Sequence, residues 1–374
     1  MMHRGLSQRM LSEIKTNPQL MQLLQSPDLY LGIRHDYCNI YYRCASMGKL
    51  YLATDKASGF KLKTHQKYLE GVISAGSSDG YFEFSEKSLN IFLSNETIIR
   101  ANIDKVRSTQ KEKIAQQHLV MTNNTNLSAE WFCVDLEYIQ RRDDNSEDLY
   151  GRFDIVAVRK QPGNDGKHDV AIIELKVDKS AYSTSLSQSD KALLKKGLDI
   201  DSFNGTLGSG ILGHIADFYR FETRTQKSTG QPIDRYAILK EEIVTSLANR
   251  LEIFGTGTSR HSVPSSIATL QSNDLSIQPK FYFLTLCCEE TMEACIISMK
   301  KYLHAKQGCK GASEYNVMDA FGNALLKKGR SFSNYKFLFA ECKLGAQNNS
   351  ISPNIDDILS TQYFTEFGWD DFTT

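Results

Sequence analysis

The chain has 374 residues, of which 41% are hydrophobic and 24% charged, and Lys+Arg and Asp+Glu both number 44. Such a length buries a sizeable core, enough for one large domain and an extra module. The balanced charge excludes a global basic field, so any nucleic-acid surface must be a local patch.

The eight cysteines (38, 44, 133, 287, 288, 295, 309 and 342) are scattered and form no CxxC pair. They read as reduced, buried thiols. Cys295, His304 and Cys309 fit no common zinc spacing and lack a fourth ligand. The opening MMHRGLSQRMLSEIKTN has no signal-peptide core, and no apolar run reaches membrane-spanning length. The expectation is a soluble, cytoplasmic protein with no membrane partner.

In chain order, Leu6, Met10, Ile14, Leu20, Leu23 and Leu24 recur at helical spacing, interrupted by Pro18. Between Leu29 and Leu52 the runs LYLGIR, NIYYRCA and KLYLAT predict a small antiparallel β module. FKLKTHQKYLEG follows, with Lys61, Lys63, His65, Lys67 and Tyr68 able either to touch a phosphate backbone or to form a solvated edge. Ile98, Ile99, Ile103, Val106, Ile114, Leu119 and Val120 predict one long amphipathic helix from about Thr97 to Met121, ending before TNNTN. Glu112 lies toward its C-terminal part.

WFCVDLEYIQ (131–140) reads as the first core strand, with Phe132, Val134, Leu136 and Tyr138 on one face and Asp135 and Glu137 on the other; a wet face of an edge strand explains these acids more simply than a place in a metal site. The acidic loop 143–148 leads into GRFDIVAVRK, the polar QPGNDGKHD and VAIIELKV. Beyond Val177 come Lys179, Lys191, Lys195 and Lys196. Gly208, Gly210 and Gly213 match the dinucleotide fingerprint formally, but polar sequence precedes them where a strand is required. They read as a loop capping a helix Gly210–Phe221, whose His214 and Arg220 are candidate substrate contacts, with a hydrogen-bonded structural histidine the favoured reading of His214. Asp234 is placed to cap a helix through Ile253, and 255–279 reads as a mobile loop or an insertion. KFYFLTLCC (280–288) is a buried strand with a helix behind it, and NYKFLFAECKLG (334–345) is the last strand. The tail FTEFGWDDFTT either docks on a partner or packs back.

The hairpin 152–177 carries the chemistry. With Arg159 opposite Asp169, Asp154 falls opposite Glu174 at about 5 Å between Cβ atoms, close enough for two carboxylates to share a metal ion. Lys176 projects from the same face as Glu174. Val156 and Val158 pair with Ile172 and Val170 on that face, while Phe153, Ile155 and Ala157 meet Leu175, Ile173 and Ala171 on the other. Apolar on both faces, the hairpin belongs at the centre of a covered sheet, where charges are costly unless they have a function.

An Asp, a spacer and Glu-x-Lys on adjacent core strands resembles the PD-(D/E)XK nuclease superfamily, through Asp154, Glu174 and Lys176. The leading proline is absent; Phe153 stands before Asp154. The second Glu-x-Lys, Glu341-Cys342-Lys343, has no matching Asp strand and reads as structural. The resemblance implies an α/β fold with a restriction-endonuclease-like αβββαβ core, a central mixed sheet flanked by helices, plus the small N-terminal β-rich module. The implied division is an accessory module 1–95, a nuclease-like domain 96–345 with an insertion near 180–279, and an acidic, aromatic tail 346–374. It further implies Mg2+ (Mn2+ substituting) held by Asp154, Glu174 and the Leu175 carbonyl, with Lys176 positioning or activating water. Glu112, if it joins, does so as the acid of the helix before the first strand; the alternative is an exposed Glu between Lys111 and Lys113. Lys179, His214 and Arg220 are the substrate contacts. The partner expected is DNA before RNA, and a homodimer is compatible. The competing reading is a non-catalytic nucleic-acid-binding or assembly protein that keeps the fold.

Overall fold

The structure, a computed structural model, describes residues 4–43, 45–53, 59–73, 79–107, 110–141, 149–182, 210–223, 234–257, 259–303, 332–345 and 350–372. The acidic loop 143–148, Lys191, Lys195, Lys196, Gly208, His304, Cys309 and Asp319 lie outside the described residues, as does the side chain of Arg220.

Two helices, α1 (Gln8–Thr16) and α2 (Pro18–Leu24), precede five strands: β1 (Leu29–Ile33), β2 (Tyr37–Tyr42), β3 (Ala45–Leu52), β4 (Phe60–His65) and β5 (Tyr81–Ser85). Pro18 starts α2 rather than breaking one helix: Asn17 caps it and accepts a hydrogen bond from Leu20 N at 2.9 Å. The strands form an antiparallel sheet in sequential order, as the Tyr-rich runs predict. The basic segment 60–65 is its fourth strand, alternating buried Phe60, Leu62 and Thr64 with half-buried Lys61, Lys63 and His65.

After α3 (Leu89–Ser94), the predicted single helix is two, α4 (Glu96–Arg107) and α5 (Lys111–Thr125). The break lets them serve different cores. Ile99 and Ile103 of α4 pack with the N-terminal sheet, whereas Ala115, Leu119, Val120 and Met121 of α5 pack on the second sheet. Glu112 therefore sits in the first, N-terminal turn of α5, not toward the C-terminal part of one long helix. The helix also continues through the asparagines, because buried Asn123 and Asn124 reach the next strand. Asn123 donates to Trp131 O at 3.0 Å, and Asn124 pairs with both the N–H and C=O of Cys133 at 2.9 Å.

The second sheet has six strands, β6 (Trp131–Arg141), β7 (Leu149–Arg159), β8 (Val170–Val177), β9 (Lys280–Cys287), β10 (Tyr335–Glu341) and β13 (Thr365–Gly368), in the order β13-β10-β9-β8-β7-β6. A separate ribbon pairs β11 (Lys343–Leu344) with β12 (Ile351–Ser352). The six-stranded sheet is mixed: β8, β9 and β10 run parallel, and the remaining neighbours are antiparallel. Its helices are α6 (Ile211–Thr223), α7 (Arg235–Phe254) and α8 (Met292–Leu303). All three bury apolar residues against one face; α5 and the segment around Ile355, Ile358 and Phe364 cover the other. No helix among the described residues is long and apolar enough to cross a membrane.

Two expectations change, and the alternative left open for the tail is decided. The segment 255–279 is not a mobile loop: Val263, Ile267, Leu270 and Leu275 are buried in the core beneath α7. The tail packs back, adding β13 beside β10 and burying Trp369 and Phe372. The alternation on β6 fails at a bulge between Cys133 and Asp135, which sends Leu136 to the opposite face from Phe132 and Val134.

That bulge buries Asp135 instead of leaving it wet. Asp135 is 6% exposed and forms ion pairs with Arg4 and, at 2.6 Å, with Arg34. Glu137, at positive φ, accepts from Tyr41 Oη at 3.1 Å and Lys113 Nζ at 2.8 Å. Tyr30 Oη donates to Val134 O at 2.9 Å. The edge strand is thus covered by the N-terminal sheet. Removing Asp135 would strand two buried guanidinium groups, a loss of about 3–5 kcal/mol for a broken buried pair. Asp135→Ala is therefore expected to lower unfolding stability by about that amount in urea titration; a loss under about 1 kcal/mol would show that the pairing is dispensable.

Candidate active site

The paired registers Ile155–Ile173, Val156–Ile172, Ala157–Ala171 and Val158–Val170 are those that the hairpin's polar loop predicts. Pairing stops at Ile155–Ile173, one position short of Asp154 and Glu174. There the Asp154 carboxylate replaces the backbone partner: its Oδ2 accepts from Leu175 N at 2.8 Å. Phe153 consequently departs from the face of Ile155 and packs on α6, 5.3 Å from both Phe218 and Phe221.

Glu174 Oε1 accepts from Lys176 Nζ at 2.8 Å and lies 2.9 Å from His214 Nε2 on α6. Lys176 Nζ also lies 3.5 Å from Glu112 Oε1, so the first turn of α5 supplies a third acid. Glu174 and Lys176 are only 2% and 4% exposed, whereas 39% of the Glu112 side chain is open to solvent. Gln116, one turn on from Glu112 and therefore on the same helix face, donates through Nε2 to Asp154 O at 2.6 Å and Oδ1 at 3.3 Å. The i, i+4 spacing of Glu112 and Gln116 was the signal that would have found it.

These contacts divide the carboxylates electrostatically. Burial pushes Asp154 well above the usual carboxylate range, and the neighbouring Glu174 and Glu112 push the same way. Burial would also raise Glu174, but His214 and Lys176 outweigh it and hold that group down to about 2. Glu112 is raised, by burial first and then by Glu174, against Lys176. Lys176 is raised: burial would lower it, but Glu174, Glu112 and Asp154 prevail. The lowered ammonium expected beside a divalent ion is not the condition among carboxylates alone. His214 is likewise raised, Glu174 overcoming burial.

Three acids thus face two basic groups, and Asp154 is the one whose pKa burial and its acidic neighbours push upward most strongly. Among the described residues, no three His, Cys, Asp or Glu side chains are grouped so as to hold a metal ion.

The remaining candidates divide. His214 joins the cluster, through Glu174. Lys179 lies apart, paired with Glu290 at 2.9 Å. Arg220 is on α6, its side chain outside the described residues. Glu341 of the second Glu-x-Lys accepts from Met292 N at 3.1 Å, at the start of α8. Beside Glu112 is an open cleft of about 390 Å³ lined by Lys111, Lys113, Val177, Asp178, Ser180 and Glu289.

The signs of these shifts give a pH test on metal-free protein. Glu174, lowered from 4.5 to about 2, stabilises the fold above pH 4.5, and that contribution is lost as pH falls toward 2. His214, raised above 6.5, contributes below pH 6.5, and its contribution is lost as pH rises through the raised value. Glu174→Gln removes the anion that raises His214 and leaves burial to lower it. NMR titration of the His214 ring is expected to show a pKa above 6.5 in the wild type and a fall in the variant; equal values would contradict the pairing. Comparison with protein-family models, with curated proteins and with solved structures found no match for this chain.

Proposed function

We propose that the protein is a metal-dependent endonuclease that hydrolyses phosphodiester bonds in DNA in the cytoplasm, built on a PD-(D/E)XK-type core. The observation that carries this reading is the convergence of Asp154, Glu174, Lys176 and Glu112 at the point where two central strands separate. The order helix α5, antiparallel strands β6, β7 and β8, helices α6 and α7, then parallel strand β9, α8 and β10 supports it, because it agrees with the αβββαβ succession implied by the resemblance.

In this reading Mg2+ or Mn2+ is held by Asp154, Glu174 and the Leu175 carbonyl. The chemistry such an ion supplies is polarisation of a phosphoryl oxygen and acidification of a bound water. The protein's own part is positioning and charge. Leu175 N–H and Gln116 fix the Asp154 carboxylate, so its orientation is set before substrate arrives. Lys176, steered by Glu174 and Glu112, presents an ammonium where a nucleophilic water would be oriented or a developing negative charge stabilised. Lys111 and Lys113 line the adjoining cleft through which a phosphate backbone would run. Sparing the apolar floor of Val156 and Ile172 from water strengthens each of these interactions.

A bare ion pair between Glu174 and Lys176 would account for those two residues. It leaves unexplained why Glu112 and the buried Asp154 gather beside that pair.

Cleavage of supercoiled plasmid and single-stranded DNA with Mg2+ or Mn2+ tests the proposal. Nicking or linearisation is expected, abolished by EDTA and slowed about 100-fold or more in Lys176→Ala. Folded protein that binds DNA but never cleaves it with any divalent metal would favour the non-catalytic binding protein instead.

A further inference from the structure

The N-terminal sheet has two unlike faces. One, with Leu31, Ile40, Leu50, Leu62 and Phe84, lies in the module's own core against α1, α2 and α4. The other face divides. On β1 and β2 it is covered: Tyr30 and Tyr41 pack in the core of the six-stranded sheet, and Gln117 of α5 donates to Tyr41 O at 3.2 Å. Toward β3, β4 and β5 it opens to solvent. There the registers set Tyr37 beside Tyr51 and Tyr51 beside Lys61, then Lys49 beside Lys63 and Lys63 beside Glu83, then His65 beside Tyr81. Residues paired across strands, or two apart along one, share a face. All of these side chains are half-buried except Glu83, which is exposed.

Lysines and rings interleave on this open part. Lys63 Nζ lies 5.2 Å from the centroid of the Tyr81 ring, and His65 packs 5.0 Å from that ring. Lys63 also pairs with Asp79 at 2.8 Å, and Lys61 and Tyr51 both meet Glu83. Within β3, β4 and β5 the face carries three lysines against one acid, and the connection from β4 to β5 adds Lys67 and Asp79. Between 28% and 53% of each ion-paired side chain is open to solvent, so exchanging an acid for a phosphate costs little.

The open part also connects with the candidate site. Asn39, paired with Lys49 across β2 and β3, donates to Tyr41 Oη at 2.9 Å, and Tyr41 Oη donates to Glu137 at 3.1 Å. Glu137 in turn holds Lys113 at 2.8 Å, and Lys113 lines the cleft beside Glu112. An unbroken chain of side-chain contacts therefore joins the lysine–tyrosine face to the wall of the cleft.

We propose that this open part of the N-terminal sheet is a docking face for single-stranded DNA, with bases stacked on Tyr37, Tyr51 and Tyr81 and phosphates held by Lys49, Lys61 and Lys63. The occupant follows from the chemistry of the face. A duplex keeps the flat sides of its bases inside the stack, so a broad sheet offers it only the lysines. An unpaired strand uses both, its bases on the rings and its backbone on the cations. The choice of DNA over RNA, and that choice alone, rests on the proposed function of the neighbouring cleft.

The test is fluorescence anisotropy on the full chain with a labelled oligo(dT) of about 20 nucleotides, in EDTA so that binding is read without cleavage. Tighter binding of oligo(dT) than of a duplex of equal length is expected. Replacing Lys49, Lys61 and Lys63 together by Gln should lower the slope of log affinity against log salt by about 2. Tyr51→Ala and Tyr81→Ala should each weaken oligo(dT) binding about tenfold and duplex binding much less. Unchanged slope and affinity in these variants, or a preference for duplex, would overturn the inference. Should a variant fail to fold, ultraviolet cross-linking of wild-type protein to a bromodeoxyuridine oligonucleotide, mapped by mass spectrometry, decides the matter. Adducts on Tyr37, Tyr51 or Tyr81 are expected; adducts confined to the cleft around Lys111 and Lys113 would overturn the inference and leave the proposed function in place. Tighter binding of oligo(U) than of oligo(dT) would overturn the assignment to DNA. A protein that binds oligo(dT) at this face yet cleaves no DNA with any divalent metal would uphold the docking face and overturn the proposed function.

Discussion

Everything at the candidate site depends on where the β7–β8 ladder ends. For four residue pairs the two strands exchange backbone hydrogen bonds between apolar faces, and then the Asp154 carboxylate takes the Leu175 N–H for itself. A carboxylate inserted into a ladder satisfies a backbone donor that would otherwise be orphaned. It also fixes a second buried carboxyl group within the sheet, beside Glu174. Two buried carboxylates so close cannot both be charged without compensation. Lys176 and His214 compensate one of them, and Glu174 is the one they choose. The opposite directions in which the two acids' pKa values are pushed follow from burial and from the partners each one finds.

The surrounding architecture keeps that arrangement rigid. Helices α6 and α7 close one face of the sheet, and α5 closes the other. Each covering layer contributes polar side chains to the cluster: His214 from α6, and Glu112 with Gln116 from α5. On the far side of β6 the N-terminal sheet covers the edge strand through Tyr30, Arg34 and Arg4. The module therefore supports the core through a buried charge cluster at Asp135, and its β6 contacts begin only one strand away from Asp154.

Much of this was legible in the sequence, and the limits of legibility were physical. The hairpin register followed from its loop and from alternation of apolar residues, and the cap of α7 followed from Asp234. The motif located Asp154, Glu174 and Lys176 because spacing along a strand fixes the face on which a residue lies. What failed were features decided by tertiary contact. The bulge at Val134 and the turn of Phe153 onto α6 change faces with no change in composition. Residues 122–125 stay helical because Asn123 and Asn124 find partners on β6, which overrides their preference for turns. Helices α4 and α5 read as one because their apolar spacing is continuous, although they serve two cores. Gln116 carries no charge and attracted no attention, and the proximity of His214 to Glu174 depends on the packing of α6, which no local pattern encodes.

The most direct test of the account is a crystal structure with Mn2+ bound, with anomalous differences measured at the manganese edge. The account predicts one strong peak bordered by the Asp154 and Glu174 carboxylates and the Leu175 carbonyl. Ordered Mn2+ only at other surfaces, with Lys176 still bridging Glu174 and Glu112 as before, would contradict it.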